Sequence, residues 1–168
     1  TSMVAMPVSM KSRGKARQPT GELSAKIEAA FGWPLTPSQR QALDEIIGDI
    51  GKPERMLRLL QGDVGSGKTI VALLAMAAVV EDGGQGALMA PTEILARQHF
   101  ATLRPLCDAA GLRLAILTGR EKGREREAIQ QGLADGSIDI LVGTHALFQG
   151  PVAFRDLALA VIDEQHRF

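Results

Sequence analysis

Residues 62–69 have the sequence GDVGSGKT, which matches the phosphate-loop pattern G-x-x-x-x-G-K-[ST] at every fixed position. The apolar residues 56–60 precede this stretch, and the Ala- and Leu-rich residues 70–80 follow it. This order predicts a buried strand, a tight loop and a helix. Glycines in the loop allow consecutive backbone N–H groups to point at an anion, and the helix N-terminus adds positive potential. The sequence therefore predicts a site for the phosphates of a nucleoside triphosphate.

The residues of this loop have distinct expected tasks. Lys68 would reach the β- and γ-phosphates, and the hydroxyl of Thr69 would hold Mg²⁺. The remaining positions would bind phosphate through the curled backbone; they are Gly62, Gly65, Ser66 and Gly67.

Short apolar runs alternate with helical segments along the chain. Strands are predicted at residues 56–60, 86–90, 112–118, 138–142 and 157–162. Helices are predicted at residues 23–31, 36–50, 70–80, 92–110 and 121–134, with a short helical piece at 145–149. This alternation is typical of an α/β fold whose mostly parallel sheet is covered by helices on both faces.

The helix predicted at residues 36–50 begins with a capping signal. Thr36 is suited to the N-cap and Pro37 to the first helical position. Gln39, three residues after Thr36, would complete a capping box.

Two adjacent acids follow the last predicted strand. Asp163 and Glu164 come directly after the apolar residues 157–162, and parallel sheets place their ligands at the carboxyl ends of strands. Nucleotide hydrolysis needs one carboxylate near Mg²⁺ and one near the attacking water. We therefore expect Asp163 to hold Mg²⁺ through water together with Thr69, and Glu164 to activate the water, with Lys68 as the third catalytic residue.

Composition constrains the chain less than its motifs do. The 168 residues contain 19 basic and 19 acidic side chains, so net charge neither favours nor excludes a nucleic-acid partner. Residues 1–22 are basic and poor in large apolar groups, which predicts a flexible linker before a domain at residues 23–168. The single cysteine, Cys107, is interpreted as a small apolar filler and agrees with a reducing cytoplasm. No apolar run is long enough to cross a membrane.

Five stretches carry a family resemblance: the phosphate loop, APTEILA at 90–96, LTG at 117–119, GTHAL at 143–147 and DEQHRF at 163–168, which contains an Asp-Glu-x-His box. Together they resemble the RecG family of bacterial ATP-dependent DNA helicases, within superfamily 2. The resemblance covers residues 31–168 and implies the first RecA-like, three-layer P-loop motor domain. It also implies ATP and Mg²⁺ as cofactors, and branched DNA, such as replication forks and Holliday junctions, as the partner in recombination and repair. The expected location is the cytoplasm.

The resemblance also suggests roles for individual residues. Gln39, with Phe31, would recognise adenine. The turns that would grip the DNA backbone are formed by Pro91 and Thr92 and by Gly143, Thr144 and His145. Gln165 and His166 would couple the ATP site to the DNA surface.

The resemblance further implies parts that residues 1–168 do not contain. They are a Ser/Thr-Ala-Thr type motif, a second motor domain with an arginine finger, and an upstream wedge domain. We therefore expect the sheet to be incomplete on its C-terminal side. We also expect the chain alone to bind nucleotide weakly, to hydrolyse it very slowly and not to unwind DNA, because an arginine finger can contribute roughly a thousandfold in rate.

Other functions remain open at this point. The bacterial transcription–repair coupling translocase is a similar motor, although its acidic box and phosphate loop differ. A non-catalytic nucleotide-binding module is a second alternative. A small P-loop kinase or GTPase is disfavoured because no acceptor lid or Asn-Lys-x-Asp guanine motif is present.

Three further features are interpreted as structural. His99 is interpreted as a surface or packing residue, and Trp33 as packing at the Gly-Trp-Pro turn. The alternating charges at residues 121–127 are interpreted as a solvated helix face.

Overall fold

The computed structural model describes residues 2–7, 21–50, 58–61, 66–145 and 152–164. The helices are α1 (Glu22–Phe31), α2 (Pro37–Ile50), α3 (Ser66–Glu81), α4 (Glu93–Ala110) and α5 (Gly123–Asp135). The strands are β1 (Ser2–Pro7), β2 (Arg58–Gln61), β3 (Gln85–Ala90), β4 (Leu114–Leu117), β5 (Ile140–Thr144) and β6 (Leu157–Glu164). The predicted strands and the five longer predicted helices are therefore confirmed within a few residues. Of the short predicted helix at 145–149, all but His145 lies outside the described residues.

The described strands form one sheet in the order β2-β1-β6-β3-β5-β4. Strands β6, β3, β5 and β4 are parallel to one another, whereas β1 is antiparallel to both of its neighbours, β2 and β6. The carboxyl ends of the four parallel strands consequently lie at one edge of the sheet. The prediction of a mostly parallel sheet is confirmed, with β1 as the exception.

Both faces of the sheet are covered. In β3, Leu88 and Ala90 belong to a large core cluster beneath α1, α2, α3 and α4. Ala87 and Met89 point to the other face, where they join a smaller cluster beneath α5. Because successive strand residues face opposite sides, one short apolar strand serves two cores. This arrangement confirms the predicted three-layer α/β architecture.

Helix α3 is the most deeply buried helix of the larger core. Residues 68–79 are all buried, because α3 packs against β3 on one side and against α1 and α2 on the other. The approach to β3 is so close that a Cβ on Gly86 would lie 2.7 Å from Cγ of Met76. Any side chain larger than hydrogen at position 86 would push α3 away from the sheet.

Cys107 packs in α4 as predicted for a small apolar residue. Its side chain is fully buried. Burial, with smaller contributions from the nearby carboxylates of Asp108 and Asp139, raises the pKa of the Cys107 thiol to about 12. The thiol therefore stays protonated at neutral pH. None of the helices in the described ranges combines the length and hydropathy needed to span a bilayer.

Strand β1 corrects one expectation. Residues 1–22 were expected to be a flexible linker, but Ser2–Pro7 pair with β2 on one side and β6 on the other. Met3 and Ala5 are buried, and the apolar surface that they bury offsets the conformational entropy lost when this segment is ordered. The basic residues that suggested a linker fall within 8–20, outside the described residues.

We predict that Met3→Asp destabilises the protein strongly. Met3 is 4% exposed between two strands, and an unpaired carboxylate there would cost about 3 kcal/mol. The expected decrease in Tm is roughly 5–10 °C. The control is Ala101→Asp on the exposed face of α4, which adds the same charge without burying it. Equal Tm values for the two variants, measured by thermal denaturation, would show that β1 is not part of the folded sheet.

Candidate nucleotide-binding site

The first turn of α3 places two polar residues in a buried position. Lys68 is 7% exposed and Thr69 is 3% exposed, although polar side chains of this kind usually remain in water. Ser66 begins the helix and Gly67 lies in the same turn. Gly62 and Gly65 lie outside the described residues. A lysine at the positive end of a helix is stabilised when an anion binds between them, so this turn suits a polyphosphate.

Gln39 links α2 to the same turn. Its backbone N–H donates to Thr36 Oγ1 at 3.2 Å, and its side-chain Oε1 accepts from the Thr36 N–H at 2.9 Å. The predicted capping box is therefore confirmed. In addition, Gln39 Nε2 donates to the carbonyl oxygen of Gly67 at 3.2 Å. A Cβ on Gly67 would lie 2.8 Å from Nε2, so glycine at this position permits the contact. An amide carries two N–H donors and two acceptor lone pairs, so these bonds do not exhaust it.

The two aromatic residues near Gln39 have different environments. Phe31 is half-buried and packs against the larger core. Trp33 is 72% exposed, so the interpretation that it packs at the turn is wrong. Gly32 ends α1 in a left-handed conformation, and the chain then carries Trp33 outward, three residues before the Thr36 cap.

Asp163 and Glu164 end β6, as predicted. Asp163 is 2% exposed, whereas Glu164 is exposed to solvent. Ile162 pairs with Met89, which places Asp163 level with the carboxyl end of β3. Helix α3 packs against β6, so the strand that carries Asp163 and the helix that carries Lys68 and Thr69 are neighbours.

The oxygen atoms of Thr69 and Asp163 suit Mg²⁺. Hydroxyl and carboxylate oxygens are hard ligands, and Mg²⁺ is usually held by one or two protein groups with water and substrate phosphates. Among the described residues there is no cluster of three or more His, Cys, Asp or Glu side chains that could form an all-protein metal cage. The residues present therefore fit a nucleotide-bound Mg²⁺ rather than a permanently held metal.

The two turns predicted to contact DNA lie at the same edge. Thr92 is the N-cap of α4, and its Oγ1 accepts from the Leu95 N–H at 3.2 Å. Ala90 pairs with Thr144, so the two turns begin on adjacent strands. Thr144 is half-buried, and His145 is exposed. Pro91 precedes Thr92 in its turn, whereas Gly143 and Thr144, predicted to form a turn, are the last two residues of β5. Gln165 and His166 lie outside the described residues.

A buried ion pair joins these turns to the rest of the domain. Arg97 on α4 donates to Glu121 Oε1 at 2.8 Å and to Thr118 Oγ1 at 3.2 Å. The Glu121 side chain is 3% exposed, and its Oε2 also accepts hydrogen bonds from the backbone N–H and Oγ1 of Thr118. Glu121 precedes α5, and its interpretation as part of a solvated helix face is therefore wrong. The alternation of charges along residues 121–127 does not indicate that the Glu121 side chain is buried.

His99 is a second residue whose role was missed. Its Nε2 lies 2.8 Å from Oδ2 of Asp163, and the His99 side chain is 13% exposed. The two residues are 64 positions apart in the sequence. Sequence pattern placed His99 on the helix after the Pro91-Thr92 turn but could not indicate this partner.

The sequence profile of the DEAD/DEAH box helicase family matches residues 36–168. The ATP-dependent DNA helicase RecG of Treponema pallidum (strain Nichols) is 48% identical over 146 residues, which cover 87% of this chain and 21% of that protein. RecG of Bacillus subtilis (strain 168) is 54% identical over 136 residues, covering 81% of this chain and 20% of that protein. The chain thus spans about a fifth of the length of these relatives.

A solved structure of RecG bound to a three-way DNA junction matches this fold with a TM-score of 0.73 and 37% sequence identity. The match covers 94% of this chain and 22% of the other. The predicted RecA-like fold and the resemblance to RecG are both confirmed by these similarities.

We predict that Glu121→Ala lowers the free energy of unfolding by about 2 kcal/mol. The change removes the carboxylate 2.8 Å from Arg97 and leaves, among the described residues, only that of Glu93, at 3.8 Å, and the partial exposure of Arg97 moderates the cost. Glu125→Ala, an exposed acid on α5, is the control and should change stability by less than about 0.5 kcal/mol. Urea denaturation of both variants measures the difference. Equal losses would contradict a structural role for the ion pair.

Proposed function

The chain belongs to the DEAD/DEAH box helicase family, and we propose that residues 23–168 form the ATP-binding part of the first motor domain of a longer, RecG-like DNA helicase. The observation that carries this proposal is the buried first turn of α3, with Lys68 and Thr69, in a fold that ends β6 with Asp163 and Glu164. The 48% and 54% identities to two RecG helicases support the more specific assignment.

The buried polar groups of the nucleotide site would bind phosphate and Mg²⁺, and its exposed carboxylate would act on the attacking water. Lys68 would neutralise the β- and γ-phosphates, while Thr69 and, through water, Asp163 would hold Mg²⁺. The ion would supply charge neutralisation at the phosphates. Glu164, exposed at the strand end, would orient the attacking water and accept its proton.

Gln39 would select adenine. Its amide already connects the α2 cap to Gly67, which fixes the side chain beside the phosphate loop. The remaining N–H and oxygen lone pair match the acceptor and donor of the adenine edge. Phe31 would support this site from the core rather than by stacking, because it packs against the larger core cluster.

The edge of the sheet that carries Asp163 would also meet DNA. The first turn of α4 offers backbone N–H groups that can bind a phosphate without a basic side chain. Thr92 and Thr144 start from adjacent strands and would contact successive parts of one DNA strand, with Pro91, Gly143 and His145 shaping the turns. Gln165 and His166 would couple this surface to the ATP site. A RecG relative was solved with a three-way DNA junction, so we propose branched DNA as the substrate.

The complete activity would require further parts of the longer protein. A second motor domain would supply the arginine finger and close the nucleotide site, and a wedge domain would recognise the DNA branch. The present chain would therefore hydrolyse ATP very slowly. We place the protein in the cytoplasm, as a reduced and buried Cys107 would permit.

We predict that this chain binds a fluorescent ADP analogue with Mg²⁺ and that Lys68→Ala weakens binding at least tenfold. The reason is the lost charge neutralisation at a buried site, a contribution of about 1.4 kcal/mol or more. Energy transfer from Trp33, the single tryptophan, provides the signal. Lys26→Ala on the exposed face of α1 removes the same charge elsewhere and should leave the Kd unchanged. Absence of binding by the unaltered chain would overturn the nucleotide site.

The DNA contact can be tested in a protein extended to the length of its RecG relatives. Thr92→Ala and Thr144→Ala should each weaken binding to a three-way DNA junction by roughly three- to tenfold, as expected for one lost hydrogen bond. Thr92→Ser keeps the α4 cap and the hydroxyl, and should bind like the unaltered protein. Unchanged junction affinity in both alanine variants would refute the backbone-contact assignment.

A further inference from the structure

The contact between His99 and Asp163 joins two parts of the candidate site that are 64 positions apart in the sequence. His99 lies in the second turn of α4, and Asp163 ends β6. The distance from His99 Nε2 to Asp163 Oδ2 is 2.8 Å, and both side chains are mostly withdrawn from water. A carboxylate can only accept a hydrogen bond, so Nε2 carries the donated proton.

A buried carboxylate needs hydrogen-bond donors to remain charged and to keep one orientation. The contact engages one of the two oxygen atoms of Asp163. In metal sites, a side chain that holds a ligand in this way tunes its geometry without touching the metal. His99 has the position and chemistry for this task toward a carboxylate that we assign to Mg²⁺.

Helix α4 is connected to other elements by two side chains of its second turn, and Thr92 caps its first turn. Thr92 caps the helix, Arg97 pairs with Glu121 and His99 pairs with Asp163. Thr92 and His99 are seven residues apart, so they lie on the same side of the helix, as does the fully buried Ala96 between them. A helix held in this way moves as a rigid unit, and displacement of its N-terminus displaces the donor to Asp163.

We propose that His99 is a positioning residue. It orients the Asp163 carboxylate for nucleotide-bound Mg²⁺ and connects that carboxylate to the α4 turn that would grip DNA. This inference rests on the proposed function, because it needs the nucleotide site to exist. It extends that function by assigning a second route, through α4, between DNA backbone and the Mg²⁺ carboxylate.

The test compares nucleotide binding with and without Mg²⁺ in the 168-residue chain. His99→Phe keeps a ring of similar size but removes the donor, and His99→Gln restores an N–H of similar reach. Exposed Gln98→Ala on α4 is the control. The probe is a fluorescent ADP analogue, titrated with Mg²⁺ and in parallel with EDTA, and urea unfolding is measured for each variant.

The expected result is a roughly tenfold weaker Mg²⁺ dependence of ADP binding in His99→Phe, with Mg²⁺-free binding unchanged and substantial recovery in His99→Gln. An equal loss with and without Mg²⁺, or a loss of stability alone, would show that His99 only packs and would overturn the inference. If His99→Phe fails to fold, His99→Gln decides the test. An Mg²⁺ dependence of ADP binding equal to that of the Gln98→Ala control then supports the inference, and a tenfold weaker dependence rejects it. If the unaltered chain binds no ADP, the proposed function fails and the inference fails with it.

Discussion

The burial of helix α3 is the constraint on which the rest of the candidate site depends. An apolar helix covered by the sheet and by α1 and α2 cannot rotate or shift without exposing its side chains to water. Its first turn is consequently held at one depth in the molecule, and Lys68 and Thr69 are held there with it. The position of these two polar residues is therefore set by packing of α3 in the hydrophobic core and not by local charge.

The parallel direction of four strands gives the second half of the site its geometry. Since β6, β3 and β5 end at one edge, the chain turns that follow them are neighbours even though they are far apart in sequence. Asp163 is level with the end of β3, where the Pro91 turn begins, and Thr144 ends the next strand along the same edge. Binding of nucleotide and binding of a strand of nucleic acid can therefore influence the same small set of backbone turns. In the function proposed above, this proximity would let one ligand change the affinity for the other.

Features with a local signal were predictable from the sequence. The phosphate-loop pattern, the Thr36–Gln39 capping box and the apolar periodicity fixed most helices, most strands and the order of the site residues. The missed features are tertiary. Pairing of Arg97 with Glu121, and of His99 with Asp163, joins residues 24 and 64 positions apart, and no local pattern reports such pairs. Strand β1 was missed because its alternation covers only a few residues beside a basic segment.

The position of β1 has a consequence for the order in which the domain can assemble. Within the described residues, β2 is one edge strand and its neighbour is β1, while β1 in turn pairs with β6, the last of the described strands. Among the described strand pairs, this one joins the residues farthest apart in sequence, so it carries the largest entropic cost of loop closure. During synthesis, the strand that leads into the phosphate loop could join the sheet only after β6 has left the ribosome. Strand β2 would thus join the sheet late in folding, once β1 has paired with β6.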